Sequence, residues 1–352
     1  MKAMVYHGAN DIRFEEKPRP QIIDPTDAVV KIVKTTICGT DLGIWKGKNP
    51  EVADGRILGH EGIGIVEEVG DAVKNIKVGD KVIISCVSKC CTCDNCKIQL
   101  YSHCRNGGWI LGYMIDGTQA EYVRTPYADN SLVPLPDNVN EEVALLLSDA
   151  LPTAHEIGVQ YGDVKPGDTV FIAGAGPVGM SALLTAQLYS PAAIIVCDMD
   201  ENRLKLAKEL GATHTINPAS GDVSKQVADI VGEDGVDCAI EAVGIPATWN
   251  MCQDIVKPGG HWHDHCGIHL GVWPDRPDGG VGFAGDAVES DSDHEPMVGL
   301  FRGDGGLHPV AADQRVDGHV GAVYGGRHIG VYCRVRGSNV GECARVHLCA
   351  CG

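Results

Sequence analysis

The chain has 352 residues, 44% of them hydrophobic, a length and composition that suit a globular protein of about two domains. Its formal net charge of -18 repels polyanions, which argues against nucleic acid and anionic membrane as partners and leaves small molecules as the expected ligands. No apolar run is long enough to span a bilayer and Met1-Lys2-Ala3-Met4-Val5-Tyr6-His7 lacks the apolar core of a secretory signal, so a cytoplasmic location is expected, where 15 cysteines fit metal ligands and buried thiols better than disulfides.

The first 150 or so residues read as β-rich. Short runs at Ala28-Val29-Val30-Lys31-Ile32-Val33, Ile63-Gly64-Ile65-Val66 and Lys81-Val82-Ile83-Ile84 have strand composition and are separated by Gly and Asp turns. Helical periodicity is scarce before about Glu141, and a distorted barrel is the expected arrangement. From Thr169 the pattern changes to strand and helix in alternation. Strands are expected over 169–173, 193–197, 213–216 and 236–240, with a first helix reaching about Leu188 and others over 201–210 and 223–231. Such alternation demands parallel strands with right-handed crossovers, hence a doubly wound α/β sheet.

A fifth parallel strand is due after Lys257-Pro258-Gly259-Gly260 and should be a continuous apolar run. His261-Trp262-His263-Asp264-His265-Cys266 follows instead. Burying several such polar groups unpaired costs about 2–7 kcal/mol each, against a domain stability of about 5–15 kcal/mol, so the strand is not expected to form. Composition breaks at the same point. No lysine follows Lys257, isoleucine falls to Ile268 and Ile329, and His261, His263, His265, His269, His294, His308, His319, His328 and His347 supply most of the 14 histidines. Residues 261–352 are therefore read as an anomalous Gly/His-rich tail, translated out of frame or otherwise foreign to what precedes it. The rival reading is a histidine-rich metal module, since His261-x-His263-Asp264-His265 falls one residue short of an H-x-H-x-D-H zinc motif.

Two motifs carry chemistry on their own. Cys90, Cys93, Cys96 and Cys104 form a C-x2-C-x2-C-x7-C array whose thiolates can close a tetrahedron around one Zn²⁺ without room for water, a structural site. A ferredoxin-type cluster would want a shorter last spacing and a following proline, where Arg105 stands. A redox disulfide is the other alternative. Gly174-Ala175-Gly176-Pro177-Val178-Gly179 lies between a buried strand and a helix, the context in which such a turn binds a dinucleotide. There Gly174 makes the tight turn, Gly176 admits the pyrophosphate to the backbone and Gly179 lets helix and strand pack closely. Asp198 ends the second strand at the distance expected of a ribose-binding acid. A 2′-phosphate about 4 Å from it would cost about 4 kcal/mol at an effective dielectric near 20, several hundredfold in affinity, so NAD is expected over NADP. A solvated strand-end carboxylate or a helix N-cap is the plainer reading of Asp198, and Arg203 is either a ribose neighbour or a surface helix residue.

Cys38-Gly39-Thr40-Asp41, Gly59-His60-Glu61-Gly62-Ile63-Gly64, the cysteine quartet and the Gly174 turn, in this order, resemble the zinc-containing medium-chain alcohol dehydrogenases over about residues 1–260. The resemblance implies a GroES-like distorted β-barrel catalytic domain over 1–150 and a Rossmann domain binding NAD over 151–260. It implies a catalytic zinc on Cys38, His60 and a third ligand, Asp149, as in the aspartate-using secondary-alcohol and formaldehyde branches, beside the structural zinc. Glu61 takes the place of a carboxylate that approaches the metal, Thr40 that of the hydroxyl passing on the alcohol proton, and Trp109 that of an aromatic in the alcohol pocket, with Trp45 a weaker candidate. Gly43 stands where many members carry a histidine that hands the proton to solvent. The implied reaction is hydride transfer from a small primary or secondary alcohol to NAD. A polyol or formaldehyde dehydrogenase and an inactive zinc- or nucleotide-binding remnant are the alternatives. Family members are homo-oligomers, and the state of this chain is left open. Each residue also has a plainer reading: Cys38 a small buried hydrophobe, His60 a turn histidine, Asp149 a helix N-cap, Thr40 a turn cap, Trp109 core packing.

Overall fold

β-Branched residues dominate the strands of the first part of the chain. In the computed structural model, Ala28–Thr35 lies beside the central strand Gly62–Val69 of a five-stranded antiparallel sheet ordered Leu132–Pro134, Lys81–Ile84, Gly62–Val69, Ala28–Thr35, Tyr122–Thr125. The register slips between Val29 and Val30 and again between Ile32 and Lys34, and such bulges bend a strand and increase its twist. Val30, Val66, Val82, Ile84 and Leu111 fill the core behind it. A smaller sheet, ordered Asp11–Glu16, Lys2–Gly8, Arg56–Ile57, completes the β-structure that carries residues 57–61.

The structure describes residues 1–264 and, beyond them, the backbone of short strands at Gly271–Trp273, Gly282–Ala284, Val320–Gly321, Gly330–Cys333 and Ala344–His347. It divides into two units, one built on Met1–Pro152 and one beginning at Thr153.

The second unit is an alternating α/β sequence: β1 (Thr169–Ala173), α1 (Pro177–Ala186), β2 (Ala193–Cys197), α2 (Glu201–Glu209), β3 (His214–Ile216), α3 (Val223–Val231), β4 (Val236–Glu241), α4 (Pro246–Ile255) and β5 (Val256–Asp264). All pairings are parallel, in the order β3-β2-β1-β4-β5. The last four residues of β1 and of β2 are buried on both faces, which is why these strands read as unbroken apolar runs. Phe171 and Ile195 belong to one core cluster while Ile172 and Ile194 belong to another, as the pleat requires. Asp200 caps α2 through the amides of Asn202 and Arg203, and Asp222 caps α3 through that of Lys225. Helix α4 is an addition to the sequence reasoning; Trp249, Cys252 and Ile255 form its buried stripe.

The fifth strand corrects an expectation. β5 forms, pairing Cys238 with His261, Ala239 with Trp262, Ile240 with His263 and Glu241 with Asp264. The cost reckoned from sequence assumed several polar side chains buried without partners. Instead, His261 stays partly exposed and places Nε2 3.8 Å from Asp163. Trp262 turns into the core and meets Trp249 edge to face, with ring centroids 4.3 Å apart at 82°. Among the described side chains of this polar run, only the His263 imidazole is deeply buried, and it has interacting neighbours. The readings that concern the tail from residue 265 onward lie outside the described side chains.

Trp262→Ala is expected to cost about 3–5 kcal/mol, the penalty of truncating a buried aromatic, measured as a lowered urea midpoint. An unchanged midpoint would mean that β5 contributes nothing to the folded core.

Candidate metal centres and dinucleotide turn

Three segments far apart in sequence converge in the first unit. Cys38 is the extended residue (φ −94°, ψ 162°) that opens the helix Gly39–Trp45. His60 and Glu61 lie immediately before the strand Gly62–Val69, and Asp149 (φ −152°, ψ −66°) lies between the turn Leu146–Ser148 and the helix Ala150–Thr153. One donor atom from each of Cys38, His60, Glu61 and Asp149 lies within 4.8 Å of all the others. Cys38 is half-buried and the other three are buried. His60 Nε2 stands 3.2 Å from Asp149 Oδ2, and the Glu61 carboxylate accepts the Ala150 amide.

The electrostatics of this cluster call for a cation. Burial, then the neighbouring Asp149, pushes the Glu61 carboxyl up to about 7. Burial opposes protonation of His60, yet its hydrogen bonds to Asp149 and Cys38 and the charges of Asp149 and Asp41 hold its pKa well above the usual imidazole range. Asp41 is likewise raised by burial. One sulfur, one imidazole nitrogen and two carboxylates form a donor set suited to Zn²⁺, and a divalent ion would offset the crowding of negative charge that raises Glu61. His60 Nδ1 is buried without a hydrogen bond, 3.8 Å from Asp41 Oδ1. The residues fit the metal.

Thr40 Oγ1 lies 3.9 Å from Cys38 Sγ. Trp109 meets the His60 ring edge to face at 5.9 Å and stacks on Tyr113 at 4.7 Å, while packing against the cluster of Tyr6, Ile44, Val52 and Leu58. It is thus both a neighbour of the site and part of the core. Trp45 is half-buried at the end of its helix. Asp41, quoted in a motif but given no role by sequence reasoning, is buried and accepts the amides of Cys38 at 2.9 Å and Gly59 at 3.2 Å. Its signal was its spacing of three from a helix-opening cysteine, the place of the carboxylate in a capping box.

The quartet Cys90, Cys93, Cys96 and Cys104 also brings its sulfurs within 4.8 Å of one another. None is in a disulfide. The amides of Thr92 and Cys93, the Thr92 hydroxyl and Asn106 Nδ2 all donate to Cys90 Sγ at 3.4–3.5 Å. Burial opposes ionisation of Cys90, but these donors hold its thiol at about 5, whereas burial pushes Cys96 up to about 12. A preformed thiolate with amide donors around it is a metal-ready arrangement.

In the second unit Gly174 has φ +99°, and a Cβ on Gly179 would stand 1.9 Å from the Gly174 carbonyl, so both positions require glycine. Gly176 caps α1, with Pro177 as the first helical residue and Val178 half-buried, and space beside Gly176 is open. Asp198 Oδ2 accepts the Ala175 amide at 2.7 Å and Oδ1 accepts the Asp200 amide at 2.8 Å. The N-cap of α2 is Asp200, not Asp198. Arg203, exposed, has Nη1 3.8 Å from Asp198 Oδ2. Glu241, which sequence reasoning passed over, is fully buried at the end of β4 and accepts the amides of Val243 and Gly244 and the Thr248 hydroxyl.

Residues 24–137 match the family model for the alcohol dehydrogenase GroES-like domain, and residues 177–263 match that for zinc-binding dehydrogenase, whose end falls inside β5. An alcohol dehydrogenase of Cupriavidus necator is 37% identical over 276 residues, covering 74% of this chain and 75% of that protein. A glutathione-independent formaldehyde dehydrogenase of Pseudomonas aeruginosa is 36% identical over 274 residues, covering 70% of this chain and 66% of that protein. Among solved structures, zinc dependent alcohol dehydrogenase 2 from Streptococcus pneumonia, in its apo form, is similar with a TM-score of 0.72 and 52% identity over 76% of each chain. A zinc-binding dehydrogenase from Sinorhizobium meliloti 1021 bound to NADP is similar with a TM-score of 0.68 and 30% identity over 75% of this chain and 76% of that one. With a GroES-like unit, a parallel dinucleotide sheet and two clusters of zinc donors, the chain belongs to the zinc-dependent medium-chain alcohol dehydrogenase family, enzymes that oxidise and reduce with zinc and a nicotinamide cofactor.

Proposed function

We propose that the chain transfers hydride between a small primary or secondary alcohol and NAD, giving an aldehyde or ketone. In this reading Cys38, His60 and Asp149 hold the catalytic zinc and Cys90, Cys93, Cys96 and Cys104 hold a structural one. The observation that carries the reading is the convergence of Cys38, His60, Glu61 and Asp149 within 4.8 Å in a buried, acid-rich setting. When bound, zinc supplies Lewis-acid polarisation of the alcohol oxygen and the nicotinamide supplies the hydride acceptor. Thr40, beside Cys38, passes on the alcohol proton, and Trp109 limits the alcohol pocket. The turn 174–179 seats the pyrophosphate at the N-terminus of α1, with Asp198 and Arg203 at the adenosine ribose.

A formaldehyde or polyol dehydrogenase is the second reading, favoured by the similarity to the Pseudomonas aeruginosa formaldehyde dehydrogenase and by an aspartate at position 149. We place the enzyme in the cytoplasm, on the free state of the cysteines among the described residues. Among those residues no helix is long and apolar enough to cross a membrane.

NADH formation from a panel of simple alcohols, polyols and formaldehyde, abolished by a chelator and restored by zinc, is the expected behaviour. Cys38→Ser is expected to lower kcat/KM at least about a hundredfold and to remove one of about two zinc ions per chain. Cys93→Ser should remove the other and lower the melting temperature, and a chelator-insensitive enzyme would refute the assignment. NAD should exceed NADP in kcat/KM by about a hundredfold or more, with Asp198→Asn narrowing the gap; equal use of both cofactors by the wild type would remove Asp198 from this role. At Gly43 a Cβ would meet only Asn49 Oδ1, at 3.7 Å, so the first atom of a side chain is accepted there. Gly43→His should raise turnover below neutral pH, and superimposable pH–rate profiles would dismiss a proton exit limited at this position.

A further inference from the structure

The segment 57–61 that delivers His60 and Glu61 rests on Gly117-Thr118-Gln119. The amides of Gly117, Thr118 and Gln119 donate to the carbonyls of Ile57, Gly59 and Leu58, each at 2.9 Å. A Cβ on Gly117 would lie 1.9 Å from the Gly59 carbonyl, so the two backbones approach as closely as glycine permits. The Thr118 and Thr35 hydroxyls both donate to the Glu61 carbonyl, at 3.0 and 2.8 Å. These contacts fix the main chain around His60 and leave the imidazole ring to be fixed by something else.

The Gln119 side chain reaches from this platform to the segment that carries Cys38. Its Nε2 donates to Asp41 Oδ2 at 2.9 Å and to the Thr36 carbonyl at 3.3 Å, using both amide protons. Asp41 is 3% exposed, and its remaining contacts are those of a hub: Oδ2 accepts the Cys38 amide, Oδ1 accepts the Gly59 amide, and Oδ1 lies 3.8 Å from His60 Nδ1. A carboxylate in so dry a place keeps one orientation only while its lone pairs are satisfied.

We propose that Gln119 is a positioning residue of the catalytic metal centre, its amide locking Asp41 between the amide of Cys38 and the imidazole of His60 so that sulfur and nitrogen keep the separation a metal requires. The inference rests on reading Cys38, His60 and Asp149 as metal ligands. It assigns to the amide a task that shape alone does not perform. An ionised glutamate at 119 would fill the same space, offer no proton and face both Asp41 and the Thr36 carbonyl, and a protonated one would offer one proton where the amide offers two, while alanine would leave Asp41 Oδ2 with the Cys38 amide.

Cobalt(II) titration of the metal-free full chain against a competing chelator reads both sites at once, because four-thiolate and mixed sulfur, nitrogen and oxygen sites absorb at different wavelengths. Gln119→Ala should weaken cobalt binding at the mixed site about tenfold and Gln119→Glu about a hundredfold, within the range known for groups that orient ligands. The mixed-site band should shift while the four-thiolate site stays at wild-type affinity and so reports an intact fold. Wild-type affinity and spectrum at the mixed site in Gln119→Glu, or equal weakening of both sites, would overturn the proposal. A wild type that takes up cobalt on the four thiolates alone would instead overturn the ligand reading on which it rests.

Discussion

The first unit is organised around one electrostatic demand, a cluster of acids gathered about a buried imidazole. Burying a charge without a partner costs several kcal/mol or is avoided by holding a proton, and this site does the latter at Glu61, whose carboxyl sits at about 7. Holding Cys38, His60, Glu61 and Asp149 so close requires that the backbone behind them be tied down. Ser148, next to Asp149, donates its hydroxyl to the Gly62 carbonyl and accepts the Cys86 amide at its own carbonyl. Asp41 ties the Cys38 amide to the Gly59 amide, and the Thr35 and Thr118 hydroxyls share the Glu61 carbonyl. Each tie consumes a buried polar group of the main chain behind the ligands, whereas His60 Nδ1 keeps no hydrogen bond of its own.

The second unit meets a different demand, open space for a phosphate pair at the end of a buried strand. Two acids flank the turn after β1, and each spends carboxylate oxygens on backbone amides. Asp198 holds Ala175 within the turn, and Glu241 holds Val243 and Gly244 beside it. Val243 in turn occupies the space that a side chain on Gly174 would need. Such a turn is preorganised before any ligand arrives. Asp198 uses one lone pair on each oxygen, which leaves further acceptor capacity at the turn, as the proposed contact with ribose hydroxyls would need.

What was legible in the sequence was what is local in the chain. The cysteine quartet and the glycine turn each lie within one short segment, so spacing alone conveys their geometry, and strands β1 and β2 announced themselves as apolar runs. The convergence of Cys38, His60 and Asp149 is long-range and came only from resemblance to a family, since no periodicity encodes it. Gln119 was invisible for the same reason, because its role is a contact across the fold, and the capping-box spacing of Asp41 conveyed its tie to the Cys38 amide but not those to Gly59 and His60. β5 was misjudged because polar letters were counted without their neighbours. The pleat sends Trp262 to Trp249 and leaves His261 beside Asp163, so the burial cost falls on far fewer groups than the letters suggest. α4 was missed although Trp249, Cys252 and Ile255 recur at a spacing of three, which is a helical stripe.

Charge balance distinguishes the two proposed zinc sites. Four thiolates over-neutralise a divalent ion, and the lobe around Cys90 compensates with amide, hydroxyl and side-chain N–H donors to sulfur; with every position taken by sulfur, nothing is left for chemistry. At the other cluster, on the proposed ligand set, the Cys38 thiolate and the Asp149 carboxylate would together match the charge of one Zn²⁺, with His60 contributing a neutral nitrogen. A further anion from Glu61 would be surplus, and Glu61 is the group that the Ala150 amide already engages. On the proposed ligand set, these three residues would hold the ion without excess negative charge, and the ion would then supply Lewis-acid chemistry to an oxygen able to become negative, as an alcohol oxygen is. Any change that made Glu61 a permanent fourth ligand would oppose that chemistry, and the site would come to resemble its structural neighbour in chemistry as well as in ligand number.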